Sequence, residues 1–347
     1  MSRNPLPEEK LKRRWQPLLS GFGAGILFML ALPLSGLLDT GARPGDNALV
    51  DWYRQTAARQ SIALRSAFTT VPPLDDPAMI LRGAGHFELV CANCHGSPAA
   101  PPEQIAHDLS PSPPELNYWR PDARLFETIR NGIRHTAMPA WPTALRDDEV
   151  WDMVAFVRRL PTMDADTYRA LAHGNAEPGS CAACHGENGE GRGGAIPRLD
   201  IQNPEFLVQA LQAFRDRSRE SGTMMAVARQ LSDDDIEELA NTYGKSLVLE
   251  PSGTELGAKI ANEGIPERDI PACQSCHGGP SRPDFPRLAG QARAYLLTQL
   301  ELFQRLGAER GGRYAHIMAE VVEDKLEEGP HRLRPEEAEA VADYYGE

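Results

Sequence analysis

The sequence predicts a mainly α protein: one N-terminal transmembrane helix followed by three similar helical domains. Three observations carry that reading. Between Arg14 and Asp39 lie 24 residues without a formal charge. The unit Cys-x-x-Cys-His begins at Cys91, Cys181 and Cys273, so successive copies stand 90 and 92 residues apart. Each copy is followed by a methionine and then by an amphipathic segment with an acidic start. A fixed period of this size marks a repeated module. A length of 347 residues exceeds one small domain and suits two or three.

The N-terminal element comes first. Residues 1–14 form a tail, and residues 15–38, including Ile26 to Leu32, Leu34, Leu37 and Leu38, form the anchor. At helical rise this run can cross a hydrocarbon layer of about 30 Å. Lys10, Lys12, Arg13 and Arg14 precede it, so the positive-inside rule keeps the tail in the cytoplasm and exports everything after Asp39. The alternative is a cleaved secretory signal, for which Thr40-Gly41-Ala42 is the fair site; the apolar run is long for one. Residues 39–77 are read as a linker whose middle, roughly Ala48 to Phe68, forms a helix with Arg54, Arg59 and Arg65 on a solvated face.

The three domains are placed at 78–162, 163–250 and 251–347. Their terminal helices align. Leu145-Arg-Asp-Asp-Glu-Val150, Leu231-Ser-Asp-Asp-Asp-Ile236 and Leu333-Arg-Pro-Glu-Glu-Ala338 each lead into apolar positions spaced by three or four. Acidic residues crowd each first turn, where the helix dipole favours them, and Ser232 and Pro335 are start signals. Domains 2 and 3 share more: Pro197-Arg-Leu199 is matched by Pro286-Arg-Leu288, and Phe206, Leu211 and Phe214 by Tyr295, Leu300 and Phe303.

The repeated motif carries the chemistry. Two thiols at i and i+3 lie on one side of a helical turn and match the two vinyl groups of a haem. The following histidine then sits beneath the iron. All six cysteines, Cys91, Cys94, Cys181, Cys184, Cys273 and Cys276, fall in such units, with His95, His185 and His277 as proximal ligands. The expectation is three covalently bound haems c. A zinc site would need four ligands from paired motifs of closer spacing, and a thioredoxin pair would occur once within a βαβ pattern. Thioether attachment takes place outside the bacterial cytoplasm, which agrees with export and places the chain on the bacterial inner membrane as a single-pass protein with periplasmic domains.

The sixth ligand separates electron transfer from catalysis, because an iron with both axial positions filled binds no substrate. The candidates are Met138, Met224 and Met318, lying 43, 39 and 41 residues beyond their histidines. Met153 and Met163 are read as packing. Met138 and Met224 each stand seven residues before the leucine that opens the terminal helix, which favours Met224 over its neighbour Met225. His135 and His316 keep bis-histidine ligation open, and His331 is the other histidine beyond the third motif. Pro197 and Pro286, and Pro113 or Pro114 in the first domain, are placed to offer a carbonyl to the proximal histidine.

Charge excludes some functions. The net charge is −13, but residues 1–38 carry +3, so the remaining 309 carry −16. An acidic body argues against nucleic acid and against adsorption to anionic lipid. It is read chiefly as a solubilising surface rather than a docking field for a basic partner.

On these motifs the exported part, 78–347, resembles class I cytochromes c in tandem. Domains 2 and 3 are similar to cytochrome c4, through Cys-x-x-Cys-His-Gly, Pro-Arg-Leu, the Ala289-Gly-Gln291 kept only in domain 3, and Leu231-Ser-Asp-Asp-Asp-Ile236. In that family the liganding methionine stands seven residues before the leucine, which supports Met224. Domain 1, with Asn131-Gly-Ile133, Met138-Pro-Ala-Trp141 and Trp151, resembles the cytochrome domains of the haem subunit of cbb3-type oxidases. Two departures stand out: Asp200-Ile-Gln202 replaces Ala-Gly-Gln, and Glu323 to Pro330 is inserted after Met318. The resemblance implies an electron carrier rather than an enzyme, linking a quinol-oxidising complex or dehydrogenase to a terminal oxidase. Alternatives are a haem-bearing subunit of a dehydrogenase complex, or a haem enzyme with one open iron.

Overall fold

The computed structural model describes residues 7–36, 48–279, 282–322 and 333–347. Leu37, Leu38, the site at Thr40-Gly41-Ala42, the insertion Glu323 to Pro330, and His331 lie outside the described residues. Residues 1–47 and 48–347 form two compact units. Among the described residues β-pairing is limited to isolated bridges, so the mainly α class stands.

The first unit holds helix α1, Pro7–Ala31, and a 3-10 turn, Leu32–Ser35, closed by Gly36 at φ 71. The expected membrane-crossing helix over 15–38 is not met in that form. The helix begins among the charges of Glu8 to Arg14 and ends before Pro33, which supplies no backbone N–H and disfavours helical backbone in the residue before it. No helix among the described residues is long and apolar enough to cross a membrane. Phe22, Leu27, Phe28, Met29, Leu30 and Leu34 are exposed.

The second unit opens with α2, Ala48–Ser66, close to the expected span. Arg54 pairs with Asp51 along the helix, but Arg65 is not simply solvated: it donates to Glu127 at 3.1 Å. Helix α3, Pro77–His86, is capped by Asp76, which accepts from the Ala78 N–H at 2.9 Å. After α4, Asp122–Asn131, comes α5, Asp147–Val157, which crosses α3. The crossing is close because Gly83 has no side chain: a Cβ there would lie 2.2 Å from the Asp152 carbonyl oxygen. Phe87, Phe156 and Met153 fill the first core, so Met153 packs as expected.

Helix α6, Ala165–Ala172, stands at the start of the second expected domain, yet Tyr168 and Ala172 are buried in the first core and α6 packs on α3. It carries no glycine for a close crossing. The rest of the second module is α7, Pro204–Arg215, α8, Gly222–Ala228, and α9, Asp233–Tyr243. Ser232 and Asp235 close a reciprocal capping box at the start of α9. The third module comprises α10, Glu255–Glu263, α11, Arg293–Leu306, α12, Ala315–Val322, and α13, Pro335–Tyr345. Here α10 crosses α13 at Gly257, whose Cβ would lie 2.1 Å from the Ala340 carbonyl oxygen.

Candidate functional site

Each Cys-x-x-Cys-His unit forms one helical turn: Ala92–His95, Cys181–His185 and Gln274–His277. The turn brings the two thiols and the imidazole of each motif to one place. In every copy the histidine is held in the same manner. His95 Nδ1 lies 2.8 Å from the Pro114 carbonyl oxygen, His185 Nδ1 2.9 Å from that of Pro197, and His277 Nδ1 2.8 Å from that of Pro286. A carbonyl can only accept, so Nδ1 carries the proton and Nε2 keeps its lone pair. That tautomer is the one a metal takes as ligand, with the ring fixed by its partner. Burial also holds His185 and His277 below the ordinary imidazole range, favouring the neutral ring.

Burial holds Cys91, Cys181, Cys184 and Cys273 in the thiol form, which suits thioether attachment. All six are unpaired. Burial pushes the Cys91 thiol up to about 12 and the Cys273 thiol up to about 11, and raises Cys181 and Cys184 as well. A redox dithiol or a zinc thiolate requires the opposite shift.

Met224 and Met318 each share a cavity with the motif of their module, whereas Met138, Cys91, Cys94 and His95 are not among its lining residues. A continuous cavity of about 500 Å³ is lined by Cys181, Cys184, His185 and Met224, and further along by Cys273, Cys276, His277 and Met318. Met225 is buried and is not among the residues lining that cavity. Met138 is partly buried, its N–H donating to Thr136 Oγ1 at 3.1 Å and its carbonyl accepting from Ile133. Gly132 makes this loop possible: at φ 61, its Cβ would fall 2.5 Å from the Pro139 carbonyl carbon. His135 and His316 are exposed. In the second and third modules the donor set on this cavity, two thiols, an imidazole Nε2 and a thioether, fits a haem.

Two joints were not visible in the sequence. Between the second and third modules, Gln202 Nε2 donates to the Arg287 carbonyl at 2.9 Å, and its Oε1 accepts from the Arg287 N–H at 2.9 Å. Gln291 does the same with Arg198, at 3.0 and 2.7 Å. Arg198 and Arg287 directly follow the prolines that hold His185 and His277, so the glutamines tie each proximal loop to the other module. Both glutamines are buried, and each uses its amide oxygen and its nitrogen across the joint. The Ala-Gly-Gln comparison pointed at these positions without revealing their partners.

The other joint lies between the first and second modules. Gly85 of α3 approaches Cys184 so closely that a Cβ would lie 2.9 Å from the sulfur. His86, at the end of α3, places Nδ1 2.9 Å from Thr223 Oγ1. Burial pushes its imidazole down to about 4. The unfolded chain therefore takes up the proton first as pH falls below 6.5, and stability is lost between there and about 4. The full effect is about 3 kcal/mol for a shift of this size. Thermal unfolding across that window should fall more steeply for the native chain than for His86→Gln; equal slopes would show that His86 does not titrate as placed.

The model for the family described as cytochrome c oxidase, cbb3-type, subunit III matches residues 78–157. A cytochrome c4 from Thiocapsa roseopersicina is 34% identical over 135 residues, covering 36% of this chain and 70% of that protein. A thiosulfate dehydrogenase electron acceptor from Stutzerimonas stutzeri strain A1501 is 28% identical over 222 residues, covering 59% of this chain and 93% of its own length. A solved cytochrome c4 from Acidithiobacillus ferrooxidans is 29% identical, with a TM-score of 0.39 over 48% of this chain and 96% of that one.

Proposed function

Because the chain belongs to the cytochrome c4 family of c-type cytochromes, we propose that it is a membrane-tethered triheme member that relays electrons one at a time on the periplasmic side of a bacterial inner membrane. The observation that carries the count of three is the proximal arrangement: three Cys-x-x-Cys-His turns, each with its histidine Nδ1 on a proline carbonyl. When bound, haem c supplies one-electron oxidation and reduction. The chain's own residues fix everything else. Cys91 and Cys94, Cys181 and Cys184, and Cys273 and Cys276 anchor the porphyrins. His95, His185 and His277 would hold the irons through imidazole nitrogens, and Met138, Met224 and Met318 through thioether sulfurs. With both faces closed by side chains, no position remains for a substrate, and the chain acts as a carrier.

The uncharged run 15–38, with its exposed apolar side chains, supports the tether. Similarity to the thiosulfate dehydrogenase electron acceptor of Stutzerimonas stutzeri supports a dehydrogenase as electron donor, and the match at 78–157 supports delivery towards a terminal oxidase. The domain boundaries at 163 and 251 belong to the same reading.

Single changes Met138→Ala, Met224→Ala and Met318→Ala test it. Each should remove about a third of the sulfur-to-iron charge-transfer band and let the reduced protein bind carbon monoxide at one iron. A variant that keeps the whole band rules its methionine out as ligand. Carbon monoxide binding to the reduced native protein would overturn the carrier reading, and release from membranes without detergent would overturn the tether.

A further inference from the structure

The segment that leads into Met224 is held from outside its own module. Glu149, on α5 of the first module, is buried, and its carboxylate lies against the start of α8. Oε1 accepts from Ser221 Oγ at 2.6 Å, and Oε2 accepts from the Gly222 N–H at 2.6 Å. Ser221 Oγ in turn accepts from the Met224 N–H at 3.1 Å. The path from the carboxylate to the methionine backbone is thus two hydrogen bonds long. Trp141 lies flat on the same turn: a Cβ at Gly222 would stand 2.4 Å from its Nε1. Arg146 pairs with Glu149 at 3.0 Å and donates to the Glu220 carbonyl at 3.2 Å. His86 reaches Thr223, and Arg217 reaches back to the Pro142 carbonyl at 3.0 Å.

Hydrogen bonds to a buried carboxylate are short and directional, so they fix position more firmly than packing does. A thioether is a weak donor on a flexible side chain, and its place over an iron depends on the backbone that presents it. We propose that Glu149 is a positioning residue for Met224: through Ser221 and Gly222 the first module sets the axial thioether of the second. This deepens the proposed function and rests on Met224 being that ligand. It makes the first module a fixed part of the second site as well as a carrier in its own right.

The test uses the full haem-loaded chain and three variants: Met224→Ala, Glu149→Ala and Ser221→Ala. Met224→Ala checks the premise, since retention of the whole sulfur-to-iron band there would remove the ligand itself. With the premise intact, Glu149→Ala should weaken the band component that Met224→Ala abolishes. It should also shift one of the three midpoint potentials while leaving the other two where they were. Glu149→Gln, whose amide oxygen can accept from the Gly222 N–H while its NH2 donates to Ser221 Oγ, should restore most of that component. Should Glu149→Ala fail to fold, Ser221→Ala removes a single hydroxyl and must show the same selective change. An unchanged component and unchanged potentials in the folded variant would overturn the proposal, as would equal shifts in all three potentials.

Discussion

Gly83→Val is expected to abolish the cooperative folding of the first module, and Gly257→Val that of the third. At each position the glycine sits where two helices cross, and the absent Cβ would lie 2.2 or 2.1 Å from a carbonyl oxygen of the facing helix. That oxygen belongs to main chain already committed within α5 or α13, so it cannot rotate away as a side-chain tip would. The helices must separate, and the cores around Phe156 and Val341 open with them. Overpacking of this kind costs about 3 kcal/mol or more, a large share of the stability of one small module. Thermal denaturation followed in the haem absorption region would show the loss as an early transition from one module. A variant within about 1 kcal/mol of the native chain would mean that the crossings can slide apart freely.

The second large effect concerns the cysteines. Cys181→Ala combined with Cys184→Ala should give a chain lighter by one haem, as read by intact mass. The second module should also lose its native packing, because Cys184, His185 and Met224 line a cavity that the remaining side chains cannot fill. An unfilled cavity of this size costs several kcal/mol. The damage should spread, because the Gln202 exchange with Arg287 ties this module to the third. The corresponding pairs at Cys91 and Cys273 should each remove one haem. A native chain carrying fewer than three would overturn the count, whatever the fold of the variants.

Much of the site was legible because its chemistry is local. Cys-x-x-Cys-His needs one helical turn, and the proline carbonyls stand 9, 12 and 19 residues from their histidines. The start of α9 at Asp233 followed from Ser232 and Asp235, which cap each other three residues apart. What stayed hidden was decided between modules. Glu149 reads as one more acidic residue in a first turn, complementing the helix dipole like Asp147 and Asp148. Its burial against Ser221 and Gly222 depends on how two modules meet, and no pattern within either encodes that. The same holds for Gln202 and Gln291, whose partners lie more than eighty residues away. The early end of α1 turns on Pro33, which interrupts an apolar run that continues in sequence to Leu38.

Helix α6 shows that inheritance and folding follow different seams here. A fragment cut where the repeat begins, after Thr162, would carry the first haem motif entire but leave an open flank where Tyr168 and Ala172 belong. Extending the cut past His173 closes that flank, at the expense of stripping the next module of its opening helix. The repeat spacing sets one seam and the packing of Tyr168 and Ala172 another, so a cut at either leaves one module short of a wall.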